Sequence, residues 1–240
     1  MATRLQHSGL NLWQKVQFML ANGGRSVLNA LVNTAYIKYY TDFVGLDPKW
    51  LGTVFLIFSI WAAINDPVFG IWMDKQPYRR GIAKFKPAAV KSLPLLIFTS
   101  LAFPWASASW SQLAISIYLF IALMLWESAA TIFLIGHQSI GTNLFLTTDE
   151  RAEVEVIDNY VGLLAVFGSS VPIMILSSRV ATSTMLIFFS VVAVVSGLIM
   201  FVSIPQLKEK PEFYEGQEQE MLSMKDFTLA TLELLKDRSF

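Results

Sequence analysis

From residue 184 to residue 204 the chain runs through twenty-one positions without a single charged side chain. A helix of about 20 apolar residues is what it takes to cross the hydrocarbon of a bilayer. Five further stretches have the same character, at 16–43, 50–73, 88–105, 112–135 and 154–176. The first is the least hydrophobic but long. Backbone N–H and C=O groups in lipid must be satisfied internally, so each run is expected to be a helix. The expected fold class is therefore an all-α membrane protein of six transmembrane helices. The expected domains are a cytoplasmic tail at 1–15, the helical domain at 16–204, and a cytoplasmic linker with an amphipathic helix at 205–240.

Charge supports this. Only 15% of the 240 residues are charged, against about 25% in soluble domains. Net charge is zero, so no nucleic-acid partner is implied, and the absence of cysteine excludes disulfides and thiolate chemistry. No cleavable leader is expected, because the first apolar stretch begins near Val16 and is too long for a signal core. Placing the amino terminus in the cytoplasm puts Lys38, Lys49 and Arg179 outside and leaves Arg25 within a span. Every other Lys and Arg then falls inside, so both termini are expected to be cytoplasmic, in a cell membrane. After Ile204 the composition turns to Glu, Gln and Lys. Phe227, Leu232, Leu234 and Leu235, behind Ser223 as N-cap, predict a helix lying on the membrane face.

Ionisable groups in a span cost roughly 2.5–3.5 kcal/mol each and normally face a bundle interior or a water-filled cavity. The first span carries Asn22, Arg25, Asn29 and Asn33, then Tyr36 and Tyr40. Spacings of three and four predict a single polar face lining a cavity. The second span carries Asn65 and Asp66 before Pro67. Asp66 is read either as a site for a cation or proton, or as the partner of Arg25 in an ion pair. In the fourth span Glu127, Thr131 and Gln138 share a face. Depth along the spans permits a cluster of Arg25, Asp66 and Glu127. His137 is read as an interface residue. No HExxH, nucleophile or paired metal-ligand motif is present, so neither an enzyme nor a cofactor is expected.

The second span runs into Gly70-Ile-Trp-Met-Asp74-Lys75-Gln-Pro-Tyr-Arg79-Arg80-Gly81. This resembles the cytoplasmic loop signature of the major facilitator superfamily. Gly70 would allow close helix contact, and Asp74 would pair with a cytoplasmic arginine as an inward latch. A narrower resemblance, to the glycoside–pentoside–hexuronide:cation symporters, lies in Tyr39-Tyr40-Thr41-Asp42-Phe43-Val44-Gly45-Leu46 and Ile60-Trp61-Ala62-Ala63-Ile64-Asn65-Asp66-Pro67. Lys84-Phe85-Lys86-Pro87 and Thr147-Thr148-Asp149-Glu150-Arg151 add to it.

The resemblance implies a solute:cation symporter, moving a sugar or other small polar solute with H+ or Na+ by alternating access. It implies a cation site at Asn65, Asp66 and Thr131, with Glu127 as a further carboxylate. It implies a solute site including Asn22, Arg25, Asn29, Asn33 and Gln138, with Arg25 where the family often has lysine. Departures are Ala62 for a second cation-site aspartate, Ser26 and Leu134 for sugar-binding aspartates, Gln138 for a stacking aromatic and Val161 for an arginine. The superfamily has two six-helix halves, and this chain corresponds to the amino-terminal one. The expected partners are thus the solute, the bilayer, and a carboxy-terminal half or second copy. The alternative is a non-transporting half-size protein that serves as scaffold or partner of a larger transporter.

Overall fold

Asn11 opens the first helix. Its side chain accepts from the Gln14 N–H at 2.9 Å, and Gln14 Oε1 accepts from the Asn11 N–H at 3.0 Å, a reciprocal capping box. The computed structural model describes residues 7–78, 83–177 and 182–210. Helix α1 (Leu12–Ala30) continues without a break through π-helical turns at Leu31–Tyr36, one α-turn at Ile37–Tyr39 and further π turns at Tyr40–Val44. Gly45 stops it in the left-handed region, at φ 77°, letting the Leu46 N–H reach back to the Tyr40 carbonyl at 2.9 Å. No other heavy atom lies near a Cβ at Gly45, so conformation alone calls for glycine there.

Helix α2 (Pro48–Asp74) starts on Asp47, which accepts from the Lys49 N–H at 2.7 Å, with Pro48 in the first turn. Helix α3 (Lys86–Ala102) passes into a 3-10 turn at Phe103–Trp105. Helix α4 (Gln112–Leu144) starts on Ser111, whose hydroxyl accepts from the Ala114 N–H at 3.2 Å. Helices α5 (Thr148–Ser177) and α6 (Thr182–Ser203) follow, the last ending in a 3-10 turn at Ile204–Gln206.

Six long helical rods are thus present among the described residues. Four segments are long and apolar enough to cross a membrane: Pro48–Asp74, Lys86–Trp105, Gln112–Leu144 and Ser183–Gln206. The α1 rod holds Lys15 and Arg25, and α5 opens on a run of acidic groups, which lowers the hydropathy of both. The exposed surface confirms a non-aqueous setting. Leu56, Ile57, Ile60, Ile64, Val68 and Trp72 all stand exposed along α2. A water-soluble monomer rarely leaves so continuous an apolar face uncovered. The linker beyond residue 210 and the amphipathic helix expected after it lie outside the described residues.

Helix α1 packs on α5 and α6, α4 packs on α2 and α3, and α3 joins the two groups through α6. Glycines set the closest approaches. A Cβ at Gly24 would stand 2.7 Å from the Ser196 carbonyl oxygen on α6, and one at Gly136 would stand 2.8 Å from Ala89 Cβ on α3. Small residues that let backbones approach are how helices associate where lipid removes the hydrophobic drive between them.

The six-residue polar face expected on α1 does not survive. Asn29 and Asn33 are exposed, whereas Tyr36 and Tyr40 are fully buried. Tyr36 donates to the Ser100 carbonyl and Tyr40 to the Phe103 carbonyl, both at 2.7 Å. The π turns explain the split. Their i→i+5 bonding takes more residues per turn, so the stripe written at three- and four-residue spacing rotates off the cavity and into the core. Trp126 on α4 donates to Ser100 Oγ at 3.0 Å, so α1 and α4 meet on the same stretch of α3.

At the end of the bundle holding residues 7–15, Ser8 donates to Glu150 from its backbone N–H at 3.0 Å and its hydroxyl at 2.6 Å. Lys15 lies 2.6 Å from Glu153 and 3.8 Å from Glu150. Nearby, the Glu209 carboxylate accepts the N–H groups of Lys84, Phe85 and Lys86 at 2.8, 2.9 and 2.7 Å. It thereby caps the N-terminus of α3, which has no side-chain cap of its own. The segment after α6 is thus tied to the loop before α3.

Burial pushes the Glu150 carboxyl up. The hydrogen bonds from Ser8 and the charges of Lys15 and His7 outweigh it and hold the carboxyl below the usual glutamate value. A carboxyl lowered in the folded state contributes stability that is complete above the ordinary value of 4.5 and is lost as pH falls through the lowered one. The thermal midpoint of the protein is therefore expected to drop on acidification through that window. Glu150→Gln should flatten this part of the profile, and an unchanged slope would show that the tie contributes nothing.

Candidate functional site

The packing of α2 on α4 brings Asn65 and Asp66 against Thr131. Asn65 is fully buried, and its Nδ2 donates to Thr131 Oγ1 at 2.6 Å. Thr131 Oγ1 in turn donates to Asp66 Oδ1 at 3.1 Å, and Asn65 Nδ2 lies 3.4 Å from the same oxygen. Asn65 Oδ1 has no hydrogen-bond partner among the described residues. A buried amide oxygen left unpaired is costly and is the kind of feature that a ligand explains. Turning the Asn65 amide over would bring this oxygen beside Thr131 Oγ1 and the Asp66 carboxylate. A hydroxyl, an amide oxygen and a carboxylate form a hard-oxygen set suited to a small hard cation, and Asp66 alone can take a proton.

Glu127 stands one turn before Thr131 on α4, half-buried. Asp66 and Arg25 both act electrostatically on it. Arg25 does not pair with Asp66, as one of the two sequence readings had it. Its Nε and one terminal nitrogen donate to Asn22 Oδ1 at 3.2 and 3.1 Å. Asn22 Nδ2 in turn donates to both oxygens of Asp158 on α5, at 2.8 and 2.9 Å. Among the described residues Arg25 makes no direct ion pair. It lies in the field of Asp158 and Glu127 instead. Asn22, one turn back on the same helix, takes two of the Arg25 donors instead.

A cleft of about 480 Å³ opens between α1, α4 and α5, with Asn22, Gln138 and Asp158 on its wall. Gln138 is exposed there. Asn29 and Asn33 are not part of this wall. They bond to each other, Asn33 Nδ2 donating to Asn29 Oδ1 at 2.6 Å. His137 is buried, stacked 4.2 Å from Phe18 and donating from Nε2 to the Phe18 carbonyl at 3.0 Å. It is a packing residue between α1 and α4.

In the loop motif, Gly70 and Asp74 are described, and Arg79, Arg80 and Gly81 lie outside the described residues. A Cβ at Gly70 would meet nothing within 4 Å among the described residues, so the close contact expected of it is not made with any of them. Asp74 is exposed at the end of α2 and forms no ion pair with a described residue.

Sequence reasoning passed over Asp158. The available signal was depth: Asp158 stands a full turn inside the span expected from Val154, where a carboxylate is expensive unless it has a partner.

Long apolar helices thus enclose a buried polar cluster, the kind of group that membrane spans carry at a cost. The chain belongs to the MFS/sugar transport protein family, whose model matches residues 18–234. The chain is similar to the uncharacterized symporter YjmB of Bacillus subtilis (strain 168), with 28% identity over 169 residues, covering 69% of this chain and 36% of that protein. It is also similar to the isoprimeverose transporter of Lactiplantibacillus pentosus, with 24% identity over 221 residues, covering 88% of this chain and 45% of that protein. The matched part is less than half the length of either relative.

Proposed function

We propose that this chain is the amino-terminal, six-span half of a cation-coupled symporter for a small polar solute, with both termini in the cytoplasm. The observation that carries the reading is the Asn65–Asp66–Thr131 cluster. One carboxylate and one hydroxyl meet the Asn65 amide at the α2–α4 contact, and turning that amide over adds its oxygen to the set. The solute enters by the cleft that Asn22, Gln138 and Asp158 line. Arg25 links the two regions, tied to Asp158 through Asn22 and sensing Glu127 beside the cation site. The loop from Gly70 to Gly81 acts as the inward latch. Asn29 and Asn33 offer polar side chains that stand exposed among the described residues, which suits an opposing half or a second copy.

The test is uptake. Membrane vesicles carrying the protein are given radiolabelled isoprimeverose with an inward Na+ gradient, an inward H+ gradient or neither. Accumulation above equilibrium under one gradient alone is expected, and the effective gradient identifies the coupling ion. Uptake indifferent to both gradients would remove the symport reading. No uptake at all would leave the scaffold alternative.

A further inference from the structure

We propose that Asp158 selects the solute, accepting hydroxyl groups of a neutral polyhydroxy compound and turning anions away. This rests on the transport reading above and adds to it the residue that sets specificity.

Asp158 is the carboxylate that α5 brings to the cleft at the level of Asn22. Its two oxygens take the amide hydrogens of Asn22, which holds the plane of the carboxylate in place. A carboxylate has about four acceptor sites, so about two remain for a ligand. Acceptor-only oxygens bind hydroxyl hydrogens and repel anions. Glu155, one turn earlier on α5, adds a second negative charge to the lining. Arg151 also lines the cleft and keeps its positive charge, its Nε donating to the Phe145 carbonyl at 2.8 Å. Arg151, Glu155 and Asp158 together leave the lining with a net negative charge, which disfavours an anion.

A cation is not favoured either. Arg25 lies immediately behind Asn22, and its field offsets that of Asp158. Apolar side chains, Phe18 and Leu134 among them, also line the cleft. Hydroxyl acceptors together with apolar side chains match a pyranose, which has hydroxyl edges and C–H faces. The volume of the cleft lies within the usual range for small-molecule sites of about 300–1,000 Å³.

The chain has no cysteine, so Thr142→Cys on the cleft wall supplies a unique thiol. Its alkylation by a maleimide is followed in membrane vesicles with isoprimeverose, glucuronate or glucosamine as neutral, anionic and cationic probes. The expected result is several-fold protection by isoprimeverose and none by glucuronate. Asp158→Asn should lose the isoprimeverose protection and weaken the exclusion of glucuronate, and Asp158→Glu should retain part of both. Alkylation without sugar, measured in each variant, reports whether the cleft is intact. Isoprimeverose protection unchanged in Asp158→Asn would overturn the proposal. So would better protection by glucuronate or glucosamine than by isoprimeverose, or no protection by isoprimeverose in the parent protein. Asp66→Asn in the same background separates the two readings. Loss of Na+ or H+ dependence with sugar protection intact leaves the role of Asp158 standing. No Na+ or H+ dependence in the parent protein, with Asp158-dependent protection present, strikes only the symport reading.

Discussion

Replacing Asp66 by Asn is expected to abolish cation coupling while leaving the protein folded. Asn is nearly isosteric, and its carbonyl oxygen can still accept from Thr131 Oγ1, which now donates to Asp66 at 3.1 Å. What disappears is the negative charge that the proposed site sets against the cation. Even at an effective dielectric constant of about 20, opposite charges at ligand distance attract by several kcal/mol. Removing half of such a pair should weaken cation affinity by at least about a hundredfold, since each 1.4 kcal/mol is tenfold. Sodium or proton binding to the purified protein measures this, with thermal stability as the check on folding. Cation affinity within a few-fold of the parent would show that the charge of Asp66 is not the coupling group. The carboxylate at Glu127, one turn from Thr131 and in the field of Asp66, would then be the next to test.

Replacing Gly24 by Ala is expected to destabilise the protein by about 2–3 kcal/mol, the upper part of the range for overpacking. The new methyl would lie 2.6 Å from Met200 Cγ and 2.7 Å from the Ser196 carbonyl oxygen. The methionine can move aside, but the carbonyl belongs to the backbone of α6, so α1 and α6 must part. Gly70→Ala provides the contrast. Nothing lies within 4 Å of a Cβ there, and alanine is the better helix former by about 1 kcal/mol. Its thermal midpoint in detergent should equal or exceed that of the parent, whereas that of Gly24→Ala should fall by several degrees. Equal midpoints for the two variants would mean that the α1–α6 contact is looser than its geometry.

Several features were legible before any coordinates. Charge-free runs announce helices that avoid water, because an unbonded backbone group in lipid is too costly for any alternative. Asn65 and Asp66 within such a run announce a site, because polar atoms there must earn a ligand or partner. Thr131 could be attached to them through the family resemblance, and all three do meet at one contact. Asp158, by contrast, stood in plain view and was passed over, because its partner Asn22 is set by how α5 packs on α1.

The sequence by itself determined the membrane class, the helical segments and the chemical character of the α2 motif. These depend on local composition and on the near-universal cost of polar groups in hydrocarbon. The tertiary structure decided which polar groups share a space. Asn22 turns Arg25 toward Asp158 instead of Asp66, the π turns send Tyr36 and Tyr40 into the core, and Glu209 caps a helix more than a hundred residues earlier. Helix periodicity assumes 3.6 residues per turn and says nothing about which helix lies alongside. Register shifts and contacts between distant segments follow only from how the helices pack.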